Sequence, residues 1–356
     1  MTDDYRRDTK LVRGGLSRSA FQETSEALYM TSGYVYDSAE EAAAAFAGEA
    51  DRFVYSRYGN PTVAMFQDRL AALEGAEACL ATGTGMAGVF AALACQLDSG
   101  DRVVASRALA TPAKLVFFES PSNPMLDLVD IPAVAELAHA AGAKVIIDNV
   151  FATPIAQKPL ELGADIVIYS ATKHIDGQGR VLGGAVLADE EFIKERMLKF
   201  YRQTGPTISP FNAWVLMKSL ETIALRVEKQ AENAAAIAAW LEGRPGVVKM
   251  RYPGLESHPQ HALARRQMSN GGTLLAFTVE GGRDAAFRAL NALKLIDISN
   301  NLGDSKTLAC HPASTTHSSV SAAERAEMGI DEGSIRISVG LEDVEDLKAD
   351  LDAALA

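Results

Sequence analysis

The order of apolar and polar segments along the chain predicts an α/β protein. Between residues 53 and 190, short apolar runs rich in β-branched residues alternate with helical stretches such as 131–141. The predicted strands are residues 103–104, 115–118, 145–147, 166–169 and 185–187. This alternation is typical of a mostly parallel sheet with helices on both faces. Residues 1–50 are polar and irregular apart from an alanine-rich helix near 40–47, and we expect them to form an arm.

The pattern changes in the second half of the chain. Residues 211–241 read as one long helix, and strand-like runs at 273–279 and 335–339 precede a terminal helix at 344–355. A smaller α+β domain is therefore predicted. Because 356 residues exceed one ordinary core, we expect an arm (1–50), an α/β domain (51–210), and a linking helix with the α+β domain (211–356).

Composition narrows the classes of function. The 34 basic and 46 acidic residues give a net charge of −12, which argues against nucleic acid or an anionic membrane as a partner. Residues 78–97 are uncharged but rich in glycine, and mean hydropathy is only +0.02, so no membrane span is predicted. The first residues lack a secretion signal, and the 3 cysteines form no C-x-x-C pair, which favours the cytosol. The histidines lack partners at metal spacing, so no metal site is indicated.

Lys173 is the most informative residue, because it follows the apolar run 166–169 after small hydroxylic residues. Ligands bind at the carboxyl edge of open α/β sheets. A lysine at that edge can hold an aldehyde cofactor as a Schiff base once desolvation and nearby cations lower its pKa. A lone lysine is more often an ordinary surface residue, so its neighbours decide the interpretation.

Asp148 ends a second apolar run at 144–148 and is expected at the same edge. A protonated pyridine ring needs a fixed anion, and an aspartate opposite the ring nitrogen supplies it in pyridoxal phosphate (PLP) enzymes. The alternative is an aspartate that only caps the following turn.

A glycine-rich turn at 81–88 leads into a helical stretch and offers free amide groups to a phosphate. Gly83, Gly85 and Gly88 also spell G-x-G-x-x-G, the pattern of nicotinamide dinucleotide sites. The strand before the glycines is poor and no acidic residue ends the next strand, so the nicotinamide interpretation is weak.

Two arginines are candidate anion ligands. Arg57 lies near Tyr55 in the turn-rich stretch 53–62, which suits a phosphate or is simply a surface loop. Arg336 lies on the strand face opposite Ile335 and Ile337, and a buried arginine needs an anion. That anion is either a substrate carboxylate held bidentately or an internal carboxylate.

Together these residues resemble the Cys/Met-metabolism family of PLP enzymes, of fold type I. The resemblance covers nearly the whole chain and is carried by the segments 55–62, 119–124, 148–149, 170–174, 311–317 and 336–343. It implies that Lys173 is the Schiff-base lysine and carries protons, and that Asp148 pairs with the pyridine nitrogen. It also implies that Asn123 lies near the ring oxygen of the cofactor, and that Arg336, with the backbone near Asn301, binds the substrate α-carboxylate.

The resemblance divides the phosphate ligands between two subunits. The ligands from the same subunit would be Gly85, Met86, Ser170 and Thr172. Tyr55 and Arg57 would reach the phosphate of a neighbour's cofactor, which requires at least a dimer. A homotetramer built of dimers that share active sites is expected.

The segments 177–184, 203–214 and 298–304 look most like the branch of the family that acts on O-succinylhomoserine. This implies a γ-replacement in methionine biosynthesis, in which O-succinyl-L-homoserine and sulfide give L-homocysteine and succinate. Cystathionine γ-synthase, O-acetylhomoserine sulfhydrylase and methionine γ-lyase activities share the same residues and stay open. A catalytically silent paralogue also stays open.

One departure from the family is a short connection. Between the strands at 102–105 and 114–118 only residues 106–113 remain, fewer than the roughly ten that a parallel crossover needs. The family has a longer segment here, which begins with an aromatic residue that stacks on the cofactor ring. Either the chain truly lacks this segment or the sequence omits it, and we favour omission.

Overall fold

The structure is a computed structural model that describes residues 5–105 and 113–356. The first sheet contains β1 (Ala78–Thr82), β2 (Val103–Val104), β3 (Leu115–Glu119), β4 (Lys144–Asp148), β5 (Ile166–Tyr169) and β6 (Gly184–Ala188). Its spatial order is β1-β6-β5-β4-β3-β2. Strands β2 to β5 are mutually parallel, and β6 runs antiparallel to both β5 and β1. The predicted mostly parallel α/β fold is confirmed.

The second sheet is smaller. It contains β7 (Val247–Arg251), β8 (Leu274–Val279), β9 (Asp297–Ile298), β10 (Leu308–Cys310) and β11 (Ser334–Ser338), in the order β7-β8-β11-β10-β9. Only β9 and β10 pair in parallel among the described strands of this sheet. The α+β character expected for this half is therefore present, while the domain bounds 1–50, 51–210 and 211–356 stay a prediction.

The helices surround both sheets. They are α1 (Arg7–Arg13), α2 (Ala39–Ala47), α3 (Pro61–Glu74), α4 (Gly85–Ala94), α5 (Ile131–Ala140), α6 (Thr153–Ala156), α7 (Leu198–Thr204), α8 (Pro210–Leu220), α9 (Ile223–Leu241), α10 (His261–Gln267), α11 (Gly282–Ala292), α12 (Ala322–Glu327) and α13 (Val344–Leu355). In the described part of the chain, none of them combines the length and the apolar character that a bilayer crossing needs.

The central strands are apolar on both faces because helices cover both faces of the sheet. Val145 and Ile147 of β4 pack in one core cluster, and Ile146 between them packs in another. All three side chains are fully buried. This two-sided burial fixes β4 and β5 in the middle of the sheet, so that their carboxyl ends meet at one edge.

The prediction of one helix over 211–241 is wrong, because the chain breaks between α8 and α9. Thr222 has φ −117° and ψ 6°, outside the helical region. The Arg226 side chain offsets the break, since its guanidinium donates to the carbonyl of Ser219 at 3.0 Å and to that of His174 at 2.8 Å. No glycine or proline marks this break in the sequence.

The short connection near 106–113 falls almost entirely on residues 106–112, which lie outside the described residues. On either side of it, β2 and β3 pair in parallel, with Val103 opposite Leu115.

Candidate active site

A pocket of about 230 Å³ lies at the carboxyl ends of β3, β4 and β5 and at the start of α4. Six of the predicted site residues line it, namely Gly85, Met86, Asn123, Asp148, Ser170 and Lys173. The register of the parallel strands explains the convergence, because Glu119 of β3 stands opposite Asp148 of β4. The predicted lysine and aspartate therefore share one rim, as the strand pattern implied.

The Lys173 amine is held at the pocket wall by a single side chain. Its Nζ donates to Oδ1 of Asn301 at 2.5 Å, and no carboxylate of the described residues forms an ion pair with it. Burial, together with the positive charge of Arg336, lowers the pKa of Lys173. A lowered pKa increases the fraction of neutral amine, which is the form that attacks a carbonyl carbon.

Asp148 is a partly buried carboxyl group without a cationic partner in the described residues. Burial, and then the nearby Glu119 carboxylate, raise the pKa of Asp148 to about 7. One oxygen, Oδ1, accepts a hydrogen bond from the backbone N–H of Val150 at 3.0 Å. A cation placed in the pocket would favour the ionised form. The protonated nitrogen of a pyridine ring fits that need.

The start of α4 forms a cradle for an anion. Thr84 caps the helix by accepting from the N–H of Ala87 at 3.1 Å, and the first two amides, of Gly85 and Met86, have no acceptor within the helix. A Cβ atom at position 85 would lie 2.7 Å from Cβ of Ser170. Only glycine lets the helix end approach Ser170 so closely, and the amides suit a phosphate.

Thr172, predicted as a further phosphate ligand, is not among the residues that line the pocket. Its hydroxyl donates to the carbonyl of Gly183 at 3.2 Å and accepts from the N–H of Gly183 at 3.1 Å. In this arrangement Thr172 fixes the chain after β5, and its role as a phosphate ligand stays a prediction.

Arg336 is 1% exposed and forms no ion pair with a carboxylate of the described residues. Its Nη1 donates to Oδ1 of Asn123 at 2.8 Å, and its Nη2 donates to the carbonyls of Asn300 at 2.9 Å and Asn301 at 3.3 Å. The Nε–H has no partner. The guanidinium is thus positioned by neutral oxygens only, and a buried cation of this kind favours the arrival of an anion.

Tyr55 and Arg57 lie outside the pocket. Arg57 donates to the carbonyl of Arg202, and its guanidinium lies 4.7 Å from the ring centre of Tyr58. Tyr55 is 41% exposed. The structure therefore does not bring this pair to the lysine of the same chain.

The sequence interpretation gave no role to Glu119, although this residue lines the pocket beside Asp148. Burial raises the pKa of Glu119, and its Oε2 accepts from the backbone N–H of Asn123 at 3.2 Å. The sequence did contain a signal for this site residue, because Glu119 ends the apolar run of β3 in the same way that Asp148 ends the apolar run of β4.

A larger cleft of about 810 Å³ adjoins the pocket through Glu119 and Asn123. Phe117, Phe118 and Ala105 lie in its wall, so the cleft borders the residue before the short connection.

Comparison with known proteins agrees with this geometry. The model of a family described as "Cys/Met metabolism PLP-dependent enzyme" matches residues 8–111 and 105–356. The two matched stretches overlap at the short connection. The O-succinylhomoserine sulfhydrylase of Mycobacterium tuberculosis is 52% identical over 394 aligned positions, which cover 100% of this chain and 97% of that protein. Because this chain has 356 residues, part of that relative has no counterpart here.

Other relatives are similar over nearly their whole length. The O-succinylhomoserine sulfhydrylase of Pseudomonas aeruginosa is 48% identical, with 98% of this chain and 95% of that protein covered. The L-methionine gamma-lyase of Pseudomonas putida is 40% identical, with 92% and 91% covered.

Solved structures share the fold. A cystathionine gamma synthase from Xanthomonas oryzae pv. oryzae matches with a TM-score of 0.92 at 33% identity, over 99% of this chain and 98% of that one. A putative O-acetylhomoserine (thiol)-lyase from Campylobacter jejuni, solved with N'-pyridoxyl-lysine-5'-monophosphate, matches with a TM-score of 0.94 at 29% identity, over 99% and 100%.

Proposed function

Because this chain belongs to the Cys/Met-metabolism family of PLP-dependent enzymes, we propose that it exchanges the succinate group of O-succinyl-L-homoserine for sulfide and so forms L-homocysteine. The observation that carries the choice of reaction is the 52% and 48% identity, over nearly the full length, to two O-succinylhomoserine sulfhydrylases. Five L-methionine gamma-lyases match this chain at lower identities, from 36% to 40%.

The residues of the pocket fit PLP. We propose that Lys173 binds its aldehyde carbon, that Asp148 faces its ring nitrogen, and that the amides of Gly85 and Met86 with the Ser170 hydroxyl hold its phosphate. Asn123 would lie beside the ring oxygen, and Thr172 would be a further ligand of the phosphate. When bound, PLP supplies a sink for the electron pairs left at the substrate carbons.

Once the amino group of the substrate has displaced it, Lys173 would have a second role as a proton carrier. Its lowered pKa increases the fraction of neutral amine, which can accept a proton, and Asn301 holds the amine in place. We propose that it takes the proton from the substrate α-carbon and moves protons at the neighbouring β-carbon, so that succinate departs from the γ-carbon and sulfide takes its place.

Arg336 would bind the α-carboxylate of the amino-acid substrate. A guanidinium has five N–H donors, and the described contacts use three of them. The unpartnered Nε–H can donate to a carboxylate oxygen, and the positive charge favours the ionised form of that group. Asn123 and the carbonyls of Asn300 and Asn301 fix the orientation of the guanidinium.

The partner of the chain would be a second copy, because Tyr55 and Arg57 lie outside the pocket of their own chain. We propose that they complete the phosphate site of a neighbour in a dimer, and that two such dimers form a tetramer. Mixing K173A and R57A proteins tests this. Each alone should be nearly inactive, and mixed oligomers should regain activity because some sites receive Lys173 from one chain and Arg57 from the other. Absence of recovery in verified mixed oligomers would contradict shared sites.

The choice among γ-acting reactions depends on the leaving group and the thiol. Homocysteine and cystathionine formation should be assayed from O-succinyl-L-homoserine and O-acetyl-L-homoserine, each with sulfide or L-cysteine, together with thiol release from L-methionine. We expect the succinyl ester with sulfide to give the highest kcat/KM. A higher value for any other combination would replace the proposed reaction. No turnover with any of them, despite bound PLP, would favour the silent paralogue.

We infer that the segment that relatives carry near 106–113 covers the large cleft beside the pocket. The cleft adjoins Ala105, and the family match overlaps at the same place. A graft of the corresponding segment of the Mycobacterium tuberculosis relative should tighten PLP binding relative to the present chain. Equal PLP affinity with and without the graft would contradict this role.

A cytosolic location is also proposed, since Cys79, Cys95 and Cys310 are all free thiols.

A further inference from the structure

A layer of buried polar side chains lies directly behind the pocket and has no part in the roles proposed above. The strand-end residues that line the pocket are Glu119, Asp148 and Ser170. Their immediate neighbours Ser120, Asn149 and Tyr169 do not line it and are at most 1% exposed. Successive residues of an extended chain point to opposite faces, so each strand end presents one residue to the cofactor site and the next one to this layer.

Hydrogen bonds join the layer into one network. The Tyr169 hydroxyl accepts from Nδ2 of Asn149 at 2.7 Å and donates to Oε2 of Glu74 at 2.7 Å. Nε2 of Gln157 donates to Oδ1 of Asn149 at 2.8 Å and to the carbonyl of Ser120 at 2.8 Å. The ends of β3, β4 and β5 are therefore connected to each other and to the last residue of α3.

The direction of these bonds makes Glu74 the terminal acceptor. Nδ2 of Asn149 can only donate, so the Tyr169 hydroxyl must direct its proton to Glu74. Glu74 is 1% exposed, and its Oε1 has no partner among the described residues. Burial raises the pKa of Glu74 to about 7, although the Lys158 ammonium opposes this. A buried carboxyl group is costly to keep, which indicates a role for the hydrogen bond that it accepts.

We propose that Glu74 and Tyr169 are positioning residues that, through Asn149 and Gln157, hold the strand ends carrying Asp148 and Lys173 at the separation that the cofactor requires. The inference rests on the cofactor roles proposed for Asp148 and Lys173. Tyr169 is fixed by the network and lies four residues before Lys173, while Asn149 follows Asp148 directly. A loosened network would therefore disturb both sides of the cofactor site together.

The test compares two tyrosine-to-phenylalanine variants of the full chain. Y169F removes the hydroxyl that links Asn149 to Glu74. Y252F is the matched control, because Tyr252 is 2% exposed in the core of the smaller sheet and its hydroxyl donates to the carbonyl of Gly272 at 3.0 Å. E74Q keeps an oxygen that can accept from Tyr169. For each protein, three quantities are measured: PLP affinity, the pH dependence of the visible absorbance of bound PLP, and the melting temperature without cofactor.

Removing an outer residue that orients a metal ligand costs about 10- to 100-fold in affinity, and we expect a loss of about tenfold in PLP affinity for Y169F. The pH dependence of its absorbance should also shift. The melting temperature of Y252F should fall by about as much as that of Y169F, while its PLP affinity stays unchanged. E74Q should stay close to the unaltered protein in all three quantities.

Equal PLP affinity and equal pH profiles in Y169F and Y252F would overturn the inference, because the network would then serve stability alone. A loss in E74Q as large as that in Y169F would overturn the role of Glu74 as an acceptor. Failure of the underlying assignment is distinguishable, since PLP would then attach to a residue other than Lys173 in the unaltered protein.

Discussion

Replacement of Arg336 by lysine tests the proposed carboxylate site. Arg336 is held by Asn123 and by the carbonyls of Asn300 and Asn301, which leaves two of its N–H donors for a substrate. A lysine keeps the charge but has only three donors on one atom, so it cannot serve these oxygens and a substrate carboxylate together. At least one hydrogen bond to a charged group is lost, which costs about 1.5–3 kcal/mol.

A loss of that size corresponds to a decrease of about 10- to 150-fold in kcat/KM. Homocysteine formation from O-succinyl-L-homoserine and sulfide measures it, with the visible absorbance of bound PLP as a control for the site itself. The methyl ester of the α-carboxyl group is the matched substrate. The unaltered protein should strongly prefer the free acid, and R336K should lose much of this preference. A kcat/KM for the free acid within about twofold of the unaltered protein would refute the reasoning.

Two further predictions concern Asp148 and Gly85. Without cofactor, the folded protein holds a proton on Asp148 up to about pH 7, whereas an unfolded aspartate loses its proton at about pH 3.9. The free energy of unfolding therefore falls as pH rises between those two values, because the folded state binds more protons than the unfolded state. D148N should therefore show a smaller fall in denaturant-measured stability over this interval, and an equal fall would contradict the buried carboxyl. G85A should weaken PLP binding by about tenfold, because the added Cβ would press on Ser170 where the phosphate is proposed to bind. Unchanged affinity in a PLP titration would contradict that cradle.

The strands that build the pocket were predictable because their apolar composition indicates burial. The three inner residues of β4 and all four residues of β5 are apolar, and each run ends at or just before the residues that carry the proposed chemistry. The antiparallel pairing of β6 with β1 and β5 was not predictable, since a short apolar run does not indicate the direction in which a strand pairs with its neighbours.

The contacts that fix the site residues were also hidden from the sequence. Asn301 holds the Lys173 amine from 128 positions away, and Asn123 holds Arg336 from 213 positions away. Glu74 is the last residue of α3, and nothing in its local sequence pattern separates it from a solvent-facing glutamate. Such pairings depend on tertiary packing, which hydrophobic periodicity does not encode.

Reduction of the PLP-loaded protein with borohydride, followed by peptide mass spectrometry, tests the central assignment most directly. Borohydride converts the bond between PLP and a lysine into a stable pyridoxyl group. We predict that this group is found on the peptide that contains Lys173 and that D148N markedly reduces its yield. A pyridoxyl group on a different lysine, such as the half-buried Lys158, or none at all at saturating PLP, would contradict the account.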